Sequence, residues 1–299
     1  YLGVNPGGYS LASYAAGDRT FTFDLPDNAG LALFSTADPA SFDAAHRLDA
    51  VGFNTMPGAS AGIYREGTGL TPFGGADAEY CYLRRLPSGT PQDTGDNARD
   101  FIVVSTQAET YGEGLQATLG APGPENSSAP VPRNAEFRSA LLDATAPQHA
   151  PPNRVRGFES DPANNATFGT LSVRRRVTNM TGASVTRLRF RVTIVSGFPV
   201  PDASNADLRP RSSTDVVVTL HDAAQCAPAA APCDVTVKGT TLEQPPAQPN
   251  GGGLNSSLSA GAVSLNSPLA HGESLNVQFL LGIQRTGRFR FYVNIEALP

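Results

Sequence analysis

Between Leu171 and Val192 the chain carries six arginines, although its formal net charge is −5. Arg174 and Arg176, then Arg187, Arg189 and Arg191, and later Arg288 and Arg290, recur at every second position within their segments. A guanidinium is a planar fork that matches a carboxylate in paired hydrogen bonds, so these residues at this spacing suit the holding of anionic groups. If the three segments are neighbouring strands, the seven side chains line one face, a docking patch for an anionic protein or polysaccharide surface. Like charges directly opposite one another repel, so the competing expectation is a solvated face on which water or acidic neighbours complete each arginine.

Asp93, Asp96, Asn97 and Asp100 offer hard oxygen ligands of the kind Ca2+ takes, but without the alternate positions and central glycine of an EF-hand loop. Short acidic and amide side chains also satisfy backbone amides in turns with no ion present. A structural turn is therefore expected, with Ca2+ on Asp93, Asp96 and Asp100 as the alternative and no other cofactor. Gly58–Gly62 matches G-x-S-x-G around Ser60, yet it lacks the strand before and the helix after that present a nucleophilic serine. His46, His149, His221 and His271 sit in unrelated loop-like settings, and none has a sequence-local acid to orient it as a base. No catalytic activity is expected. The glycines at 251–253 precede no Lys-Ser/Thr pair, so they read as a loop and not a phosphate cradle.

Cys226 and Cys233 bracket a six-residue run, which reads as a local disulfide contributing about 2.5 kcal/mol on the chain-entropy estimate. That implies an oxidising, extracellular or cell-surface location. Cys81 is left as a buried thiol or as the partner of something outside the chain. Asn126, Asn165, Asn179 and Asn255 each open an N-x-S/T sequon, compatible with glycosylation and also with chance.

The elements that position these residues are strands. In Arg187–Val195, Leu188, Phe190, Val192 and Ile194 alternate with polar residues, which marks a strand with one wet face. Phe289, Phe291, Val293 and Ile295 repeat the pattern. Shorter runs at 20–25, 30–35, 48–53, 79–86 and 100–105 are separated by Gly, Pro, Asn and Asp. Residues 214–220 and 233–242 flank the disulfide loop as a hairpin, and 136–144 reads as one short helix. Residues 121–134 are rich in proline and polar side chains and read as an exposed strap between domains. The 299 residues thus suggest an all-β chain of two tandem β-sandwich, immunoglobulin-like domains, 1–130 and 135–299. Residues 1–134 carry 15 acidic and 7 basic side chains and the remainder 12 and 15, so the halves have opposite net charge. No apolar run of about 18 residues is present to span a membrane, and the acidic total argues against nucleic acid.

Five ordered blocks in the first half resemble the lamin-tail domain of secreted bacterial proteins. They are Asp27, Asn28 and Gly30; Asp49, Val51 and Gly52; Tyr82 and Arg84; Asp93, Thr94, Asp96, Asn97, Asp100 and Phe101; and Pro124, Asn126, Ser127 and Ser128. The resemblance implies an immunoglobulin-like sandwich that binds or links. The acidic strands that open the family have no counterpart before Tyr9, which implies an uncovered edge. Either upstream sequence or a strand added by a neighbouring subunit would cover it. The second half resembles no named family. The expected function is a non-enzymatic extracellular structural or adhesive protein that self-associates head to tail into an oligomer or filament. The alternatives are an accessory module of a larger secreted hydrolase or nuclease and a polyanion-binding module.

Overall fold

Turn-punctuated alternation produces strands, and the chain is nearly all β. The computed structural model describes residues 15–19, 26, 28–74, 79–86, 90–111, 114–196, 204–243 and 248–299. The strand expected at 20–25, Asp27 and the first residues, on which the uncovered-edge expectation turns, lie outside the described residues. Two compact units divide the chain, Tyr1–Pro122 and Gly123–Pro299.

In the first unit β1 (Gly30–Phe34) pairs antiparallel with β2 (Arg47–Gly52). Antiparallel pairing also joins β3 (Tyr80–Arg84) to β4 (Phe101–Ser105) and β5 (Thr110–Tyr111) to β6 (Leu115–Gln116), while β7 (Thr118–Leu119) runs parallel to β4. One apolar cluster is small: Phe73, Val103 and Ala117, with Tyr82 and Leu115 against them. Polar side chains bind the short strands together. Asn97 is fully buried; it accepts from the amides of Gly52 and Glu66, each at 3.1 Å, and donates to the Ala50 carbonyl at 2.8 Å. Arg84 donates from one nitrogen to both oxygens of Asp49, at 2.8 and 2.7 Å, and its guanidinium lies 4.6 Å from the centre of the Phe101 ring. A Cβ on Gly52 would stand 2.5 Å from the Tyr64 carbonyl oxygen, so only glycine lets these segments approach.

The second unit contains β8 (Val131–Pro132), β9 (Phe137–Leu141), β10 (Arg154–Gly157), β11 (Thr170–Asn179), β12 (Arg187–Val195) and β13 (Asp207–Arg211). After these come β14 (Val216–Leu220), β15 (Cys233–Val237), β16 (Thr241–Leu242), β17 (Ser257–Ser259), β18 (Ser274–Arg285) and β19 (Phe291–Leu298). One sheet has the order β10-β11-β18-β13, with β9 also on β11; the other has the order β16-β17-β12-β19-β8. Val177, Val277 and Phe279 from the first sheet pack against Leu188, Phe190, Leu258, Ile295 and Ala297 from the second. This is a two-sheet sandwich closed by alternating inward side chains. β14 and β15 form the expected hairpin, and the Cys226–Cys233 disulfide ties its connection.

Three expectations for this half change. Residues 137–141 form strand β9 and not a helix, because the edge of β11 from Arg175 to Asn179 offers them a ladder and Phe137 a buried seat. The β12 alternation slips at a bulge between Val192 and Ile194, so Val195 is the buried residue beyond it and Ile194 is only half-buried. The strap does not stand apart: Val131 and Pro132 pair with Ala297 and Glu296 at the sheet edge, where a proline is tolerated.

Replacing Asn97 with alanine leaves two amides and a carbonyl without partners in a dry site. Urea unfolding of the full chain should show a loss of about 3 kcal/mol for Asn97→Ala, against under about 0.5 kcal/mol for the exposed neighbour Ala98→Ser.

Candidate functional site

β12 places Arg187, Arg189 and Arg191 on one face, and the register sets Glu296 of β19 directly opposite Arg189. Glu296 accepts from the Nε of Arg189 and, at 2.7 Å, from the Nε of Arg191. Glu125, brought in by the strap, accepts from the Nη2 atoms of both arginines. The Pro130 carbonyl takes Arg189 at 3.3 Å, the Asn255 carbonyl takes Arg191 at 3.0 Å, and Glu243 lies 3.4 Å from Arg187. Three guanidiniums thus face three carboxylates. The side chains of Arg189 and Glu296 are only 6% and 3% exposed, so the centre of this face is dry, while Arg187 and Glu125 at its margin remain accessible to water. Gly123 has φ +56°, a conformation that favours glycine, and a Cβ there would stand 2.5 Å from Arg191 Nη1, so a side chain would displace the guanidinium from its partners.

The seven arginines do not form the expected single patch. Arg174 and Arg176 belong to β11 in the opposite sheet, where Arg174 donates to Gln278 at 3.2 Å. Arg288 and Arg290 are exposed and precede β19. The separation arises because β11 pairs with β18 and β12 with β19, so strands consecutive in sequence go to different layers. With Arg189 and Arg191 neutralised internally, the charge argument for head-to-tail docking loses its centre.

A different pair of arginines, not singled out in the sequence, meets a cavity. Arg154 and Arg156 of β10 lie opposite Val173 and Leu171, on the face of the sheet that carries the core. The cavity measures about 310 Å3 and is lined by these two arginines with Leu171, Leu208, Ile283 and Phe289 among others. Arg156 donates to the carbonyls of Gly157, Phe168 and, at 3.0 Å, Thr170. Arg154 lies 5.6 Å from the centre of the Phe289 ring. Burial, and then the charge of Arg154, push the pKa of half-buried Arg175 below its usual value. Among the described residues, no carboxylate lies within ion-pair distance of Arg154, Arg156 or Arg175. The Arg-Val-Arg alternation at 154–156 is the signal that would have found them.

The acidic loop divides between turn and cluster. Asp96 caps the single helical turn Asn97–Asp100: its Oδ1 accepts from the amides of Ala98 at 3.2 Å and Thr68 at 3.1 Å. Asp100 is fully buried and accepts from the Thr94 amide and hydroxyl, each at 2.9 Å, and from Gln92 at 3.1 Å. Burial acts to raise its pKa, but these bonds outweigh it and hold the carboxyl below its usual value. Asp93 is exposed and accepts only from the Gly95 amide, at 3.2 Å, among the described contacts. Of Asp93, Asp96 and Asp100, the first and last come together with Glu66, one carboxylate oxygen of each lying within 4.8 Å of the others. Burial, and then the charge of Asp49, push the Glu66 carboxyl above its usual value. Nothing local in the sequence links Glu66 to residues so far along the chain.

Other candidates resolve individually. His46 does have a sequence-local acid, because its Nδ1 lies 2.9 Å from Asp43 Oδ1 in an exposed turn. That bond is the main reason the Asp43 pKa is lowered. Residues 59–62 form a single 3-10 turn. Two sequons are closed to modification in the folded chain. Asn179 is fully buried with its amide donating to the Ala183 and Leu269 carbonyls, each at 2.8 Å, and Asn255 is buried beside Arg191. Asn126 and Asn165 are half-buried, and Asn165 donates to the Pro249 carbonyl at 3.0 Å. Cys81 on β3 is half-buried and lies outside the disulfide, and no helix among the described residues is long and apolar enough to cross a membrane.

Removing one carboxylate from a buried charge cluster leaves the facing guanidiniums uncompensated. Glu296→Ala should lower stability by about 3–5 kcal/mol in denaturant titrations, whereas Glu125→Gln, at a site water reaches, should cost about 1 kcal/mol. No protein-family model, curated protein or solved structure matches this chain.

Proposed function

We propose that the protein is a non-enzymatic extracellular adhesive module that holds carboxylate-bearing polymers, with the cavity beside Arg154 as the holding site. The observation that carries this reading is a half-buried guanidinium without an acidic partner, set against an apolar wall. Arg154 and Phe289 both line the cavity, and no described carboxylate pairs with the arginine. A guanidinium fork takes a carboxylate, and the Phe289 ring offers an apolar surface to the carbon face of a sugar ring. The volume is at the small end for ligand sites and suits one ring of a uronic acid at a time. Repetition along a polymer then supplies avidity without a large interface.

The extracellular setting rests on the Cys226–Cys233 disulfide. Self-association into filaments has less support than attachment to an anionic polymer, because the arginines that would have docked a second subunit face Glu125, Glu243 and Glu296 of the same unit.

Affinity electrophoresis through polygalacturonate gels tests the reading. The full chain should be retarded, with retardation falling as NaCl is raised, and Arg154→Ala should weaken binding by about tenfold, the loss of one charge-assisted contact. Migration unaffected by the polymer, or equal retardation of the variant, would refute it.

A further inference from the structure

We propose that Glu66, Asp93 and Asp100 of the first unit form a binding site for one calcium ion. Their carboxylate oxygens, one from each, lie within 4.8 Å of one another. Two ligands of the same ion stand at most twice the metal–oxygen distance apart, which is about 5 Å for Ca2+ and about 4.2 Å for Mg2+. Within that bound the three oxygens can share one Ca2+, whose coordination is flexible, more readily than Mg2+, which demands near-ideal octahedral geometry and dehydrates reluctantly. An all-carboxylate set is hard and favours such cations over softer transition metals.

A second observation points to an occupant. Glu66 is only 8% exposed, and its Oε2 is buried with no hydrogen-bond donor in reach. Its Oε1 lies 3.6 Å from Arg47 Nη2, too far for a hydrogen bond. A dry carboxylate oxygen without a donor is costly, and this one belongs to a carboxylate that approaches those of Asp93 and Asp100. Asp100 is held by Thr94 and Gln92, which fix the orientation of its carboxylate beside Glu66 and Asp93. Asp93 is the exposed member and leaves the site open to water ligands. Asp96 is not among the carboxylates that come together; its Oδ1 accepts from the amides of Thr68 and Ala98 and its Oδ2 lies 3.6 Å from Arg99 Nε.

The test uses the full chain, stripped with EDTA and dialysed, titrated calorimetrically with CaCl2 and separately with MgCl2. One Ca2+ should bind per chain with Kd of roughly 10⁻⁴–10⁻³ M, the range of extracellular modules, and Mg2+ should bind at least about tenfold more weakly. Asp93→Asn should lower Ca2+ affinity about tenfold or more while leaving the circular dichroism and the calcium-free melting temperature unchanged, and Glu66→Gln should abolish binding. Three results would overturn the proposal. The first is no heat and no shift in melting temperature at about 10 mM CaCl2. The second is wild-type affinity in Asp93→Asn. The third is a calcium-free Glu66→Gln chain that is more stable than the parent while the parent ignores Ca2+, which would assign the Glu66 oxygen a proton instead of a metal.

Discussion

A guanidinium removed from water must be given a counter-charge and hydrogen-bond acceptors in the place it goes, and the second unit is arranged around meeting that demand for Arg189. Desolvating a charge costs several kcal/mol even after relaxation, so a buried arginine persists only where geometry compensates it. Here compensation comes from three parts of the chain that share no local sequence. β19 contributes Glu296, the strap contributes Glu125 and the Pro130 carbonyl, and the segment after β16 contributes Glu243. The pairing of β8 with β19 and the glycine at 123 follow from the same need, since both allow the strap to reach the arginines. A segment whose composition marks it as a linker is held instead as part of the unit it precedes.

The first unit meets a comparable demand with neutral and acidic side chains against the backbone. Its strands are short, and the cluster under β3 and β4 is small, so burial of apolar surface supplies limited stabilisation there. Asn97 exchanges three hydrogen bonds with three separate backbone groups, and Asp100 closes its own loop through Thr94 and Gln92. Asp49, Gly52, Arg84, Asn97 and Phe101 are joined by hydrogen bonds, a cation–ring contact and close backbone approach. Against this background Glu66 differs from its neighbours Asp96 and Asp100, because no donor reaches its buried Oε2; Glu109 elsewhere in the unit also has a buried Oε2 without a donor.

Period-two patterning made β12 and β19 legible, since the side-chain period of a strand is a property of its own residues, whereas the long β18 (Ser274–Arg285) was not singled out. The β14–β15 hairpin and the disulfide were readable for the same local reason. What could not be read depends on partners distant in sequence. Residues 137–141 have a composition suited to a helix, yet the free edge of β11 takes them as a strand. The bulge beyond Val192 changes which of Ile194 and Val195 is buried, and it is defined only by the register against β19. Sheet membership separated Arg174 and Arg176 from Arg187, Arg189 and Arg191, and no spacing rule in one strand reports that. The sequons at Asn179 and Asn255 look like surface features until their amides are found bonded inside the fold.

Uncompensated charge is therefore a better guide to interaction in this protein than charge itself. The densest basic segment is the least available, because Arg189 and Arg191 already have their acids. Arg154, in a segment with only two arginines, retains a guanidinium that burial and its neighbours leave without one. In the acidic half, Asp96 and Asp100 are satisfied by amides and hydroxyls, while Glu66 has Arg47 beside its Oε1 but no donor at its buried Oε2. Folding tolerates an orphaned charge at a stability cost of a few kcal/mol at most. A site that keeps one without any structural return is therefore where a ligand of opposite charge gains most by binding.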